Sequence, residues 1–291
     1  FAPVVLALIV LALAVPLIPR DDTESVAARS LDLPGALLVT GAVVATVAAI
    51  ENATHASVFL TAILGAGAVV LFALFAVRQR TAADPLVPLG LLRDRNLITA
   101  YAGAGCLSGG FMGFQFIVVL YLQELRGWSA LATAMALLVV AIDAILAPTL
   151  TPILVRRFGL WRVIVAGMAF SALSFLLFAG VEDDWVYLSM LPSFVALGIA
   201  FTLAYGPLTI AATDGVEESS QGLTSGLLYT TFQFGAAIGL AATTAVQVGV
   251  LTTTGDLLSS YRAALLVPIG IGIVGVLITL PRAWRTPAAC T

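Results

Sequence analysis

Nine stretches of this chain each run for roughly the 20 apolar residues that cross a hydrocarbon core. They are approximately Ala2–Pro19, Leu33–Ile50, Val58–Val77, Leu97–Leu122, Ala130–Val155, Val163–Gly180, Val186–Ile210, Leu223–Val250 and Ala263–Leu280. A segment that faces lipid must satisfy its own backbone hydrogen bonds, so each run is expected to be a helix. Strands of a membrane barrel alternate in polarity, and these runs do not. The expected fold class is an all-α polytopic membrane protein with about nine transmembrane helices.

The remaining residues leave little for other classes. The chain is 60% hydrophobic and 10% charged, where soluble domains hold about 45–50% apolar and about 25% charged residues. That excludes a soluble enzyme domain and a disordered chain. All thirteen basic residues are Arg, and the formal charge is −3. No basic run is present to follow a phosphate backbone, so no nucleic-acid partner is expected. Cys106 sits in an apolar run and Cys290 is next to last, which is neither a disulfide framework nor metal-ligand spacing. His55, the sole histidine, lies in a short turn without a ligand cluster. Phosphate-cradling loops, HExxH and the nucleophile elbow are absent from the sequence. Neither enzyme activity nor a metal or cofactor is expected. Glu182-Asp183-Asp184, Asp214, Glu217 and Glu218 read as solvated loop residues.

Arginine placement orients the spans. If the nine runs alternate sides, one side holds eleven Arg and the other only Arg126 and Arg262. By the positive-inside rule the arginine-rich side is cytoplasmic, together with the C-terminus. Phe1 then begins outside. The first run has no basic segment before it and is followed by Arg20-Asp21-Asp22, unlike a signal peptide. The chain is therefore expected to be a fragment, preceded in the intact protein by an odd number of spans. The link from Arg78 to Asn96 is the longest polar one and marks the expected boundary before a group of six spans.

Small and polar residues inside the spans suggest helix packing and a path. Gly105, Gly109 and Gly113 share one face, and Gly222/Gly226 and Gly235/Gly239 repeat the four-residue spacing that lets helices approach closely. Pro148, Pro152, Pro192, Pro207 and Pro268 can kink their helices. Asp143 is the only formal charge near the middle of a span. An ionised carboxylate there costs about 2.5–3.5 kcal/mol on insertion scales. It reads either as a proton or cation coupling site or as a neutral, hydrogen-bonded packing residue. Gln115, Gln233, Tyr101, Tyr205, Tyr229, Phe111 and Phe201 are candidates to line a path for an amphipathic substrate, if they face inward.

Three stretches resemble the fourteen-span drug:proton antiporter family of the major facilitator superfamily. They are Leu31-Asp32-Leu33-Pro34-Gly35, Asp84-Pro85-Leu86-Val87-Pro88-Leu89 with Leu91-Leu92-Arg93, and Gly222-Leu223-Thr224-Ser225-Gly226 running on to Phe232-Gln233-Phe234-Gly235-Ala236-Ala237-Ile238-Gly239. The loop from Pro152 to Gly159 resembles the superfamily's Gly-x-Leu-x-Asp-Arg-x-Gly motif, with Leu154, Arg157 and Gly159 matching. Pro152 and Arg156 replace its Gly and Asp, which puts the motif's gating latch in doubt. The resemblance implies an incomplete major facilitator fold. Residues 1–20 would be the last helix of the N-terminal half, 21–80 a linker with an extra helical hairpin, and 81–291 the six-helix C-terminal half. It also implies proton-coupled export of small amphipathic compounds by alternating access, in a bacterial plasma membrane; within this chain the intramembrane Asp143 is the expected coupling acid. The proton gradient would be the energy source. Partners would be membrane lipids, a small-molecule substrate and the missing N-terminal helices. A non-transporting remnant and a facilitator on the same fold are the alternative readings.

Overall fold

The structure, a computed structural model, describes residues 32–53, 58–82, 94–216 and 218–285, with isolated positions at 4, 10, 11 and 86. The first apolar run, the link around Arg20, His55 and Cys290 lie outside the described residues. Among the described residues all regular structure is helical, and eight helical spans are long and apolar enough to cross a membrane. They are α1 (Leu33–Asn52), α2 (Val58–Thr81), α3 (Arg95–Leu120), the pair α4 (Ala130–Leu137) and α5 (Ile142–Phe158), α6 (Leu160–Ala179), α7 (Tyr187–Thr213), α8 (Glu218–Thr254) and α9 (Leu257–Arg285). A π-helical turn, Tyr121–Leu125, extends α3. A 3₁₀ turn, Leu138–Ala141, joins α4 to α5 within a single span.

Polar caps set where helices begin. Orphan N–H groups of the first turn need acceptors. Asp94 accepts from Asn96 N at 2.7 Å to open α3, and Ser129 Oγ accepts from Ala132 N at 3.2 Å to open α4. Asp256 accepts from Leu258 N at 3.2 Å and Ser259 N at 3.1 Å to open α9. Bonds from the Ser259 hydroxyl and amide lower the pKa of Asp256, as expected of a carboxylate that caps in its charged form. Between α5 and α6 the chain turns at Gly159, whose φ of +88° is strained for any residue with a Cβ.

The tightest packing is between α3 and α8. A Cβ at Gly235 would stand 2.2 Å from Gly105 O, and one at Gly239 2.2 Å from Gly109 O. Gly113 lies against Thr243, where its Cβ would come 2.2 Å from Oγ1. The two helix backbones touch, and only glycine allows it. Lipid is as apolar as leucine, so such van der Waals contact is a main force holding spans together. Ser108 Oγ donates to Phe232 O across this seam at 2.5 Å. α6 and α7 are joined differently, by Ser174 and Ser193, each hydroxyl donating to the other's carbonyl at 2.8 and 2.9 Å. Such bonds average only about 0.6 kcal/mol inside membranes, so they supplement the packing. Two apolar clusters fill the bundle. One gathers Phe114, Tyr121, Phe175, Phe178, Phe194 and Tyr261; the other gathers Leu107, Trp161, Ile164, Met168 and Leu208.

α1 and α2 form a hairpin closed by a buried clasp. Asp32 accepts from Gly35 N at 3.1 Å, Arg78 Nε at 3.0 Å and Gln79 Nε2 at 3.2 Å. Burial pushes the Asp32 carboxyl up, but these three donors outweigh it and leave its pKa below the ordinary value. A Cβ on Gly35 would stand 2.3 Å from Asp32 Oδ2, so the Asp-x-x-Gly spacing has a steric reason.

The ends of the spans sort by side. Arg126 donates to Asp183 O, Arg262 donates to Val181 O at 2.8 Å, and Tyr121 donates to Glu182 O at 2.6 Å. The two arginines that sequence puts opposite all the others thus grip one loop. Arg78 at Asp32, and Arg282 reaching Thr99 at 3.4 Å, lie at the opposite end.

Candidate substrate and coupling cavity

The break in the Ala130–Phe158 span creates the site. A cavity of about 310 Å³ opens where the 3₁₀ turn meets α3 and α7. Phe111, Phe114 and Gln115 come from α3, Leu137 from α4, Val140 and Ala141 from the turn, Asp143 from α5, and Leu197 and Phe201 from α7. The Phe111 and Phe201 rings meet edge to face at 4.8 Å. Asp143 and Gln115 are the polar side chains in an otherwise apolar wall, the pattern of a small-molecule pocket.

Asp143 is half-buried and has no hydrogen-bond or ionic partner among the described residues. It stands in the first turn of α5. Gln115 can both donate and accept hydrogen bonds, and the aromatic faces attract cationic or flat apolar groups. The cavity is chemically suited to binding a small amphipathic ligand.

Four of the eight residues expected from sequence to line a path or couple protons therefore meet here: Phe111, Gln115, Asp143 and Phe201. Tyr205 and Tyr229 line a second cavity of about 190 Å³ between α7 and α8, nearer the arginine-rich end. There Tyr205 packs on Phe232 at 5.6 Å. Gln233 is exposed on α8 and lines neither cavity. Tyr101 differs from expectation. It is 7% exposed, and its hydroxyl donates to Thr224 O at 3.3 Å, so it ties α3 to α8 instead of facing a path.

The glycine stripes divide as well. Gly105, Gly109 and Gly113 face Gly235 and Gly239, whereas Gly222 and Gly226 have open space where a Cβ would stand. This second pair does not pack helices here. It borders a cavity of about 520 Å³ between the hairpin and α8. Arg156 and Arg157 are exposed, and Arg157 lies over the Phe158 ring at 5.4 Å. With Arg156 in the acidic position of the motif, no carboxylate stands there to make the latch's charge contact. Sequence reasoning missed Leu137, Val140 and Leu197 as lining residues, and Gly198 between two of the wall residues. Their only signal was position, opposite or beside residues already singled out.

Eight helical spans long and apolar enough to cross a membrane define a polytopic integral membrane protein. The comparisons specify the family. The chain belongs to the major facilitator superfamily, whose sequence pattern it matches over residues 1–240. It is 31% identical over 237 residues to a lincomycin resistance protein of Streptomyces lincolnensis, covering 80% of this chain and 48% of that protein. A cephamycin export protein of Amycolatopsis lactamdurans is 32% identical over 262 residues, 84% of this chain and 50% of the relative. A tetracenomycin C resistance and export protein of Streptomyces glaucescens is 29% identical, over 82% of this chain and 44% of the relative. The chain spans about half the length of these curated relatives.

Proposed function

We propose that this chain is the C-terminal part of a proton-coupled exporter of small amphipathic compounds, working by alternating access in a bacterial plasma membrane. The observation that carries this reading is the joining of Asp143 to Gln115 and the Phe111–Phe201 pair in one cavity. Relatives named for antibiotic resistance and export support the direction of transport and the substrate class. In one state Asp143 holds a proton; in the other it releases the proton and favours a substrate carrying positive charge. A ligand drives such a switch only as far as it binds the two states differently, and a carboxyl that changes charge supplies that difference. The N-terminal half of the intact protein closes the path from the other side, and the C-terminus is cytoplasmic.

The test is efflux of a panel of cationic dyes from cells making the full-length transporter, with and without an uncoupler. Wild-type efflux stops with the uncoupler, and Asp143→Asn abolishes efflux at unchanged expression. Full efflux by Asp143→Asn removes the assignment. Efflux indifferent to the uncoupler makes the protein a facilitator.

A further inference from the structure

We infer that Gly198 is a positioning residue: it lets the 3₁₀ turn Leu138–Ala141 sit down on α7, and that turn rotates Asp143 into the cavity. The inference deepens the proposed coupling role of Asp143 and rests on it for its functional meaning, but its geometry stands independently.

The rotation follows from helix geometry. An α-helix advances about 100° per residue and a 3₁₀-helix about 120°. From Leu137 to Asp143 the observed path has four 3₁₀ steps and two α steps, about 680° in all, so Asp143 lies about 40° from Leu137 around the axis. Val140 lies directly over Leu137. Leu137, Val140 and Asp143 all line the cavity. Had the span stayed α-helical, six steps of about 100° would leave Asp143 about 120° away from Leu137. The turn thus brings the carboxyl about 80° closer to the side of Leu137 and Val140, with Ala141, about 120° around, completing the same wall.

Gly198 is where that turn rests. A Cβ there would stand 2.4 Å from Ile142 Cγ2 and 2.8 Å from Val140 O, one atom in the turn and one in the residue just before Asp143. Its neighbour Leu197 and, one turn on, Phe201 are themselves cavity walls. Below it, Thr202 Oγ1 donates to Gly198 O at 2.9 Å, and Thr151 Oγ1 donates to Thr202 O at 2.7 Å, which fixes α5 to the same strip of α7. With α5 held at Thr151, a side chain at 198 can be accommodated only by lifting or unwinding the turn, which swings Asp143 out.

The experiment reads Asp143 itself. In membranes containing the full-length protein, a fluorescent hydrophobic carbodiimide is reacted across a pH series and label at Asp143 is quantified by peptide mapping. Gly198→Ala is expected to slow labelling by at least about fivefold, the population shift produced by about 1 kcal/mol of overpacking, and to move its pH midpoint. Adding Ile142→Ala, which removes the clashing Cγ2 but leaves the 2.8 Å approach to Val140 O, is expected to restore part of the rate. Gly206→Ala, whose Cβ comes no closer than 3.9 Å to Thr151 Cγ2, is the packing control and leaves labelling unchanged. Wild-type rate and midpoint in Gly198→Ala overturn the inference. So does equal loss in Gly206→Ala. If labelling follows Gly198 while Asp143→Asn still pumps, the placement stands and the coupling role falls.

Discussion

The α3–α8 seam makes a graded prediction. Replace Gly239, Gly109 and Gly222 by Ala, one at a time. An ordinary carbon–oxygen contact is about 3.3 Å or longer. At Gly239 the new Cβ would begin 2.2 Å from Gly109 O and 2.5 Å from its Cα and C. The helices must then part by about 1.1 Å. Both sides of the contact are backbone, so no rotamer change relieves it. At Gly109 the nearest atom is Gly235 O at 2.8 Å, asking for about half that movement. At Gly222 nothing lies within 4 Å. Overpacking costs about 1–3 kcal/mol. We assign the upper end to Gly239→Ala and the lower end to Gly109→Ala. At about 2–4 °C per kcal/mol, Tm falls by about 6–12 °C for Gly239→Ala and about 2–4 °C for Gly109→Ala, and not at all for Gly222→Ala. Tryptophan fluorescence during heating of the detergent-purified protein measures this. Equal melting of all three variants, or a Gly222 variant that falls furthest, refutes the seam.

Tyr101→Phe should lower stability by about 0.6 kcal/mol and leave the KM for dye efflux unchanged, while Phe201→Ala raises KM; a KM rise in the Tyr101 variant would put that ring back in the path. The Asp32 clasp carries a pH signature. Its carboxyl titrates below the ordinary value of 3.8 in the folded chain. The clasp's contribution is therefore full above that value and is lost as pH falls through the lower folded value. A spin-label distance across the clasped ends of α1 and α2 should widen in that acid range, and Asp32→Asn should be wide at every pH; a wild-type distance in that variant contradicts the clasp. Gly159→Ala should destabilise the α5–α6 turn by about 1 kcal/mol or more through its positive φ, read as a lower Tm.

Sequence patterning carried most of the fold because a bilayer imposes so few options. Apolar run length located the eight described spans, most ends within a few residues and the α9 ends further out, but did not separate α4 from α5. The i, i+4 glycines indicated close approach but not the partner; that Gly109 meets Gly239 is a tertiary fact. The same spacing at Gly222 and Gly226 meets only a cavity, so spacing alone overstates packing. The lining residues were half legible. Asp143 stands out because its charge is anomalous at that depth. The direction of a Tyr is not legible, since Tyr101 and Tyr205 have equivalent settings in sequence and opposite ones in space. The 3₁₀ turn Leu138–Ala141 was invisible. Leu-Val-Val-Ala contains no glycine or proline, and the room the turn occupies against α7 comes from Gly198, across the interface.

Substrate-induced proton release from the purified full-length protein tests the central claim most directly, because it needs no gradient and no transport. If Asp143 exchanges a proton for substrate, adding a cationic dye to the weakly buffered protein brings a burst of protons. Asp143→Asn should give no burst at any pH while remaining folded. A burst of wild-type size from Asp143→Asn would show that the exchanging proton sits elsewhere.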